Sequence, residues 1–218
     1  MIIYGAGLSP FVRKVLAVAA EKGLSVELKN VGLGDPDPEF RAASPFGKMP
    51  ALRDGDFTLA DSSATAHYLD AKVPEPALIP ADPQQRGRVV WFDEFADTIF
   101  QPPAAKIFFN RVVAPILQKR PGDEAAAESG ARELEPILDW LNAAIPGDGH
   151  LVGGRFTLAD ISVASVFVNL AHAGWHIDAD RWPRLAAYVA DILARPCLAG
   201  LVARENGFMA RLTAPRTA

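Results

Sequence analysis

The amino-acid sequence predicts an α/β domain followed by an all-helical domain. Short apolar runs with strand-like character alternate with helical patterns only in about the first eighty residues, and the remainder is helical in pattern. Between the two parts, residues 72–83 contain four prolines and show no periodicity, which is typical of a linker. We therefore place the α/β domain at residues 1–76, the linker at 77–83 and the helical domain at 84–218.

The first elements form a βαβ unit. Ile2–Tyr4 is a brief apolar strand, and Ser9-Pro10 then opens a helix, because serine suits the cap position and proline the first helical position. The helical stripe ends at Gly23. Val26–Lys29 alternates apolar and polar residues, which predicts a half-buried strand.

A hairpin and a helix complete the first domain. Residues 32–45 are rich in Gly, Asp and Pro and predict a loop with one short helical turn. Two short apolar runs, 51–53 and 57–59, flank Asp54-Gly55-Asp56, a pattern typical of a β-hairpin. A helix is predicted from Ser62 to Ala71, so the order of elements is βαβ-ββα.

The second domain is predicted to be entirely helical. Its first helix starts at Asp82-Pro83 and reaches Phe100, where Pro102-Pro103 breaks it, and the next runs to about Lys119 with a kink at Pro115. The remaining predicted helices cover residues 124–144, 158–171, 183–194 and, as a short final helix, 198–205.

The clearest local signal lies at the start of the helix that follows Phe156. Thr157 and Asp160 have the spacing of a capping box, and Phe156 and Ile161 that of a hydrophobic staple. The helix that follows is apolar nearly all round and belongs in the core. We therefore interpret Asp160 as a structural residue rather than a catalytic one.

Composition excludes several classes of function. The formal net charge of −4 argues against a nucleic-acid partner, and no apolar run approaches the ~18 residues of a membrane span. Cys197 is the only cysteine, so no internal disulfide, Cys-x-x-Cys pair or cysteine zinc site can form. His172 and His176 are not expected to bind a metal, because Gly174 and a weak helix signal separate them. We expect a cytoplasmic protein without a metal.

Three positions in the first domain have the chemistry of a binding site, and each also has a purely structural interpretation. Ser9 either caps a helix or, with the free amides there, stabilises an anion such as a thiolate; Tyr4 is the other nearby hydroxyl. Met49-Pro50 is either a simple turn or a cis bond that presents the Met49 backbone to a peptide-like ligand. Asp61-Ser62 either caps a helix or binds an ammonium and a carboxylate.

Four motifs in this order resemble the soluble glutathione transferases. They are Ser9-Pro10-Phe11-Val12-Arg13-Lys14-Val15, Ser44-Pro45-Phe46-Gly47-Lys48-Met49-Pro50-Ala51-Leu52, Leu59-Ala60-Asp61-Ser62 and Gly154-Arg155-Phe156-Thr157-Leu158-Ala159-Asp160. The resemblance extends from Met1 to about Met209. It implies a thioredoxin-like first domain, a helical second domain, glutathione as co-substrate and a homodimer.

The resemblance also implies roles for individual residues. The Ser9 hydroxyl would face the glutathione sulfur as the catalytic group, whereas Arg13 is expected to be a helix-surface charge. Lys48 would lie near the glycyl carboxylate, and Asp61 with Ser62 would hold the γ-glutamyl end. The full set of implied glutathione-binding residues is Ser9, Phe11, Lys48, Met49, Pro50, Asp61 and Ser62.

Two departures from the family pattern bear on function. Many relatives carry Glu or Gln in place of Asp61, and relatives that transfer thiols carry Cys in place of Ser9, so this chain resembles a serine-type member of unresolved class.

We expect attack of a glutathione thiolate on a small apolar electrophile, or peroxide reduction, in a detoxification role; isomerase and dehalogenase activities remain open. The electrophile is expected between residues 5–8 and the first two helices of the second domain. A non-catalytic binding or regulatory protein of the same fold is the alternative.

Overall fold

The first domain is built on a mixed four-stranded sheet. The computed structural model describes residues 1–147 and 149–214. Strand β1 pairs in parallel with β2 and antiparallel with β3, and β3 and β4 form a hairpin, which gives the order β2-β1-β3-β4. The strands are β1 Ile2–Tyr4, β2 Glu27–Lys29, β3 Ala51–Asp54 and β4 Phe57–Ala60.

Helices cover both faces of this sheet. They are α1 Pro10–Glu21, α2 Pro38–Ala43 and α3 Ser62–Lys72. Side chains alternate along β1, so Ile3 enters the large core that contains α1 and α3 residues, whereas Tyr4 packs on Phe40 of α2 with ring centroids 6.1 Å apart. The arrangement is the expected thioredoxin-like fold, with the βαβ unit and hairpin confirmed.

The prediction that the second strand is half-buried holds for Val26, which packs partly buried against the core, but not for Leu28. Glu27 and Leu28 of β2 are both exposed, Leu28 by 36% of its surface. The strand lies at the edge of the sheet, and Leu28 lines an open groove rather than the core. Alternation in the sequence identified the strand, but the depth of burial depends on which element covers it.

The second domain is helical throughout its regular elements. Helix α7 is its centre, because every residue from Leu158 to Leu170 is buried, as the apolar composition of this segment predicts. The helices of the domain are α4 Pro83–Phe95, α5 Gln101–Phe108, α6 Glu124–Ala144, α7 Leu158–His172, α8 Pro183–Leu193 and α9 Pro196–Thr213.

Pro102-Pro103 does not break the helix, contrary to prediction. A π-helical segment, Ala96–Phe100, leads from α4 into α5, and a second, Phe109–Leu117, contains Pro115. Proline lacks an amide hydrogen, and its ring clashes with the carbonyl four residues earlier in a regular α-helix. The wider π turn that precedes the prolines accommodates both effects, so the backbone stays helical.

The final helix is also longer than predicted. Helix α9 has 18 residues and reaches Thr213, rather than ending near Glu205. Among the described residues, no single helix is long and apolar enough to cross a membrane. Only together are helices α8 and α9 long and apolar enough, and the pair is bent by 90° where the two helices join.

The segment between the two domains is packed against both. Leu78 is 1% exposed and Ile79 5% exposed. The Leu78 amide donates to Asp70 of α3 at 2.9 Å, and the Leu78 carbonyl accepts from the amide of Leu158 at 3.0 Å. Residues of both domains share one apolar core, so the two domains form a single packed body.

Candidate active site

The register of the sheet brings three chain segments to one end of it. Tyr4 pairs with Ala51, and Ala51 pairs with Ala60. The loop after β1, the residues before β3 and the residues after β4 therefore leave the sheet side by side. Neighbouring strands lie about 4.8 Å apart, so the three segments span roughly 10 Å, the length of an extended tripeptide.

Ser9 begins α1 at this end of the sheet. It is the N-cap residue, and its Oγ accepts a hydrogen bond from the Val12 amide at 3.4 Å. The capping interpretation is thus confirmed, but a cap uses only a lone pair of the hydroxyl. The Ser9 proton remains able to donate to an anion, and the Phe11 amide in the first turn needs no partner within the helix.

The loop after β1 contacts the segment before β3 directly. The Ala6 amide donates to the Met49 sulfur at 3.3 Å, and the Ser9 amide donates to the Ala6 carbonyl at 3.0 Å. Ala6 therefore links Ser9 to Met49, which come from two separate motifs. This arrangement brings Ser9 and the Met49 backbone to the same side of the sheet end.

The Met49-Pro50 peptide bond is cis, as the functional interpretation predicts. No hydrogen bond joins the Met49 backbone to another described residue, so its amide and carbonyl are available to a ligand. Lys48 is exposed and forms no ion pair with a described residue. The buried Ser44 fixes this turn, since its hydroxyl accepts from the Lys48 amide at 3.0 Å and donates to the Lys48 carbonyl at 2.7 Å.

Asp61 and Ser62 occupy the third segment. Asp61 is the N-cap of α3, and its Oδ1 accepts from the amides of Ser63 at 2.8 Å and Ala64 at 3.0 Å. Its φ of 82° is rare for a residue other than glycine. The second carboxylate oxygen and the Ser62 hydroxyl have no hydrogen-bond partner among the described residues. Asp61 can therefore cap the helix and still accept from an ammonium group.

The buried ammonium group of Lys14 contacts the start of α3, a feature that the sequence did not predict. Lys14 Nζ lies 2.8 Å from Asp93, 2.7 Å from Asp97 and 3.2 Å from the Ser63 hydroxyl. Burial raises the pKa of Asp97, although the Lys14 charge opposes that shift. The cluster joins α1 and the start of α3 to the helical domain, through residues too distant in sequence to form a pattern.

Arg13 is not a helix-surface charge, which corrects the prediction. Its side chain is fully buried, and its guanidinium donates to Glu205, to the Ser165 carbonyl and to Asn169 at 2.7, 2.6 and 3.0 Å. Helix α1 packs against α3, α7 and α9, and Arg13 lies within its buried part, so its side chain has no access to water. The partners lie more than 150 positions away.

Tyr4 is turned away from the Ser9 hydroxyl. Its side chain belongs to the cluster under α2, and its hydroxyl donates to Glu39 at 3.4 Å. Burial raises the pKa of Tyr4. Of the two hydroxyls considered for the thiolate, those of Tyr4 and Ser9, Ser9 is therefore the one that can face a ligand.

The aromatic residues of α4 and its extension pack mainly among themselves. Phe92, Phe95 and Phe100 are nearly buried, and Phe100 contacts Phe167 with ring centroids 4.9 Å apart. The loop after β1 instead borders a groove of about 840 Å³ between the α1–β2 side of the first domain and α9. Its apolar wall includes Leu8, Leu16, Leu24, Val26, Leu28 and Phe208.

The first domain has a thioredoxin-like fold, and a serine hydroxyl, a cis-proline turn and the start of α3 lie together at one end of its sheet. The family model of the glutathione S-transferase N-terminal domain matches residues 3–77, and that of the C-terminal domain matches residues 124–191. Within the described residues, no group of three or more His, Cys, Asp or Glu side chains is placed to hold a metal ion.

Individual relatives agree with this assignment over most of the chain. A glutathione S-transferase of Hyoscyamus muticus is 33% identical over 201 residues, covering 90% of this chain and 94% of that protein. Glutathione S-transferase 3 of Zea mays is 37% identical over 167 residues, 74% of each chain. A theta class glutathione S-transferase of Xanthomonas axonopodis pv. citri, solved with glutathione bound, has a TM-score of 0.80 at 30% identity and covers 92% of this chain and 96% of that one. The chain belongs to the glutathione S-transferase family.

Proposed function

We propose that this glutathione transferase binds glutathione across the three aligned segments and ionises its thiol at Ser9 for attack on a small apolar electrophile. The observation that carries the proposal is the register Tyr4–Ala51–Ala60, which sets the three segments side by side. Their combined width matches a tripeptide, and each offers groups that one part of glutathione requires.

Each part of glutathione has a complementary group in this arrangement. The free oxygen of Asp61 suits the γ-glutamyl ammonium, and the Ser62 hydroxyl at the start of α3 suits its carboxylate. The Met49 backbone beside Pro50 suits the cysteinyl unit, and the exposed Lys48 suits the glycyl carboxylate. The sulfur then lies toward Ser9 and the Phe11 amide.

Thiolate formation follows from the groups around Ser9. A cysteine thiol titrates near ~8.5, and only the thiolate is a strong nucleophile. A hydrogen bond to a charged acceptor is worth about 1.5–3 kcal/mol, which corresponds to a fall of about one to two units in the thiol pKa. The Ser9 hydroxyl and the positive end of α1 therefore favour the thiolate at neutral pH.

The reaction we propose is conjugation. The sulfur donates its electron pair to an electrophilic carbon, a C–S bond forms, and the leaving group departs with the pair that bound it. Ser9 carries no sulfur, so the chain offers no thiol at this position for disulfide exchange with glutathione. Peroxide reduction would use the same thiolate and is distinguished by the substrate offered.

We place the electrophile in the groove beside the loop after β1, rather than among the aromatic residues of α4. Leu8 and Phe208 lie on its wall, and Leu8 immediately precedes Ser9. An apolar substrate there would bury its surface close to the sulfur. Replacing Phe208 with Ser should raise the KM for apolar electrophiles and leave the glutathione KM unchanged; an unchanged electrophile KM would remove this site.

We also propose a homodimer. Phe46, on the same turn as Lys48, is 89% exposed. A shallow apolar pocket of about 300 Å³ lies on the helical domain, lined by Trp91, Phe95, Ile99, Pro136, Ile137 and Trp140. Two such surfaces on one chain suit a two-fold interface in which each is covered by the partner. Light scattering that finds a monomer at micromolar concentration would contradict the dimer.

We place the protein in the cytoplasm, in a detoxification role and without a nucleic-acid or membrane partner. The cytoplasm supplies reduced glutathione, and the single cysteine, Cys197, is buried, where its thiol pKa is raised to about 12 mainly by burial. A fluorescent fusion that concentrates at a membrane or in a secreted fraction would contradict this location.

One experiment tests the central proposal. Glutathione is titrated into the protein, with calorimetry for affinity and ultraviolet absorbance for thiolate, and a panel of apolar electrophiles follows. We expect binding, thiolate absorbance at neutral pH and turnover of at least one electrophile class. Absence of thiolate absorbance and of turnover, with or without glutathione binding, would reject the proposed function and favour the non-catalytic alternative.

A further inference from the structure

The peptide that leads into Ser9 is held by a residue of the helical domain. Asn169 of α7 is 1% exposed, and its Nδ2 donates to the Leu8 carbonyl at 2.9 Å. Its Oδ1 accepts from Nη1 of Arg13 at 3.0 Å. Asn169 therefore links the loop before the catalytic serine to a buried charge of α1.

The chemistry of the two partners fixes the orientation of the Asn169 amide. A guanidinium can only donate hydrogen bonds, and a backbone carbonyl can only accept them. The side chain must therefore supply one acceptor and one donor from the same planar group. Asparagine meets this requirement at this length, whereas aspartate lacks the donor and leucine lacks both.

Hydrogen bonds hold both ends of the peptide unit that joins Leu8 to Ser9. The Leu8 carbonyl accepts from Asn169, and the amide of the same unit, that of Ser9, donates to the Ala6 carbonyl at 3.0 Å. Because a peptide unit is planar, fixing its carbonyl and its amide fixes its orientation. That plane fixes the position of the Ser9 Cα, from which the side chain that carries the hydroxyl extends.

Asn169 is itself held in place. Arg13, its partner, donates to both oxygens of Glu205 and to the Ser165 carbonyl, and His172 contacts Glu205 at 3.3 Å. All of these groups are buried or nearly so. Buried hydrogen bonds among α1, α7 and α9 therefore hold the Asn169 amide in the orientation in which it donates to Leu8.

We infer that Asn169 is a positioning residue for Ser9, through which the helical domain sets the geometry of thiolate formation. The inference rests on the proposed function of Ser9. It goes beyond that function because no part of Asn169 is expected to touch glutathione. Its effect on the thiol depends entirely on the Leu8–Ser9 peptide.

The test compares variants by the pKa of bound glutathione, read from thiolate absorbance against pH. Asn169→Leu should raise this pKa by a measurable part of the one to two units that we expect for Ser9→Ala, about half a unit or more. The glutathione KM should stay nearly constant, and kcat at neutral pH should fall and recover in alkali. Val163→Ala, a buried truncation on the same helix, serves as the matched control for lost packing and should leave the pKa unchanged.

A second variant protects the test against misfolding. Asn169→Asp keeps an acceptor for Arg13 but cannot donate to Leu8, so it should fold and still raise the pKa. Its added charge is separated from its geometric effect by repeating the substitution in the Ser9→Ala background. There the geometric part should vanish, and only the charge part should remain.

The outcomes separate this inference from the proposed function. If Ser9→Ala raises the thiol pKa while both Asn169 variants match the parent, the positioning role is rejected and the function stands. The same rejection follows if Asn169→Leu raises the pKa equally in the parent and Ser9→Ala backgrounds, because the effect would not pass through the hydroxyl. If Ser9→Ala itself leaves the pKa unchanged, the proposed role of Ser9 fails first.

Discussion

The Nε of Arg13, in the first helix of the α/β domain, lies 2.7 Å from a carboxylate oxygen of Glu205 in the last helix of the helical domain. The two side chains are 0% and 8% exposed, so the ion pair is almost fully removed from water. Such a pair is not strongly stabilising relative to apolar residues of the same volume. Loss of one partner, however, leaves a buried charge without compensation.

The first prediction follows from this asymmetry. Glu205→Ala should lower the free energy of unfolding by about 3–5 kcal/mol, because the buried Arg13 loses its carboxylate. The double variant Arg13→Met/Glu205→Leu should lose much less, since neither charge remains. Urea unfolding of the parent and both variants measures this difference. A single variant no less stable than the double one would contradict the prediction.

The second prediction concerns acid. Burial alone would raise the pKa of Glu205, but hydrogen bonds from His172 and Arg13 outweigh it and hold the pKa below the ordinary value of 4.5. A carboxyl with a lowered pKa contributes stability that is present above 4.5 and lost as pH falls through the lowered value. Melting curves from neutral pH into acid should therefore converge for the parent and Glu205→Gln, which does not titrate. Parallel curves would show that Glu205 contributes no such term.

The third prediction separates folding from chemistry at Asp160. Its carboxylate accepts from the amides of Leu151 at 3.0 Å and Thr157 at 2.8 Å and from the Tyr188 hydroxyl at 3.0 Å. Asp160→Ala leaves these buried donors unpaired, at about 1–3 kcal/mol each, so we expect a loss of at least roughly 3 kcal/mol. Tyr188→Phe removes one donor and should cost about 1 kcal/mol.

Activity per folded molecule is the readout that distinguishes a structural role for Asp160. Thiolate absorbance and turnover, normalised to the folded fraction, should match the parent in both variants. An Asp160→Ala protein that melts like the parent but has lost turnover would show that the structural assignment is wrong.

The capping box around Asp160 also shows which parts of the fold the sequence can predict. Thr157 and Asp160 are three residues apart. The helix start at Ser9-Pro10 and the β3–β4 hairpin likewise involve only residues that are close together in the sequence. Each is decided by residues within a few positions, so a local pattern is sufficient. The sheet register that follows from these elements then placed the site segments together.

What sequence reasoning missed depends on residues far apart in the chain. Arg13 was expected at a surface, but it is buried and pairs with Glu205, 192 positions away; the Lys14 cluster, which the sequence did not indicate, depends on Asp93, 79 positions away. Pro102 was expected to end a helix, but the helix continues because the π-helical segment before it accommodates the proline ring. The role of Asn169 could not be predicted from the sequence, because its partners Arg13 and Leu8 lie more than 150 positions away.

The fourth prediction tests the γ-glutamyl end of the site. Asp61→Asn should weaken glutathione binding by about 1–3 kcal/mol, roughly tenfold to a hundredfold, because an amide oxygen replaces the charge that faces the ammonium. Asparagine is as good an N-cap and tolerates positive φ, so the melting temperature should barely change. Ser62→Ala should weaken binding similarly. Calorimetry that finds parent affinity in both variants would remove this subsite.

The last prediction concerns the Ser9 hydroxyl. If it donates to the sulfur, Ser9→Ala should raise the pKa of bound glutathione by about one to two units and leave the affinity for the tripeptide nearly unchanged. Turnover should fall at neutral pH and partly recover in alkali, where the thiol ionises without help. Because the capping bond to Val12 is long, at 3.4 Å, the loss of stability should be small. Ser9→Cys is the sharper probe, since it introduces the sulfur found in thiol-transfer relatives and should form a mixed disulfide with oxidised glutathione. The measurement is thiolate absorbance against pH in the binary complex; superimposable profiles for the parent and Ser9→Ala would mean that Ser9 only caps the helix and that backbone amides such as that of Phe11 hold the thiolate.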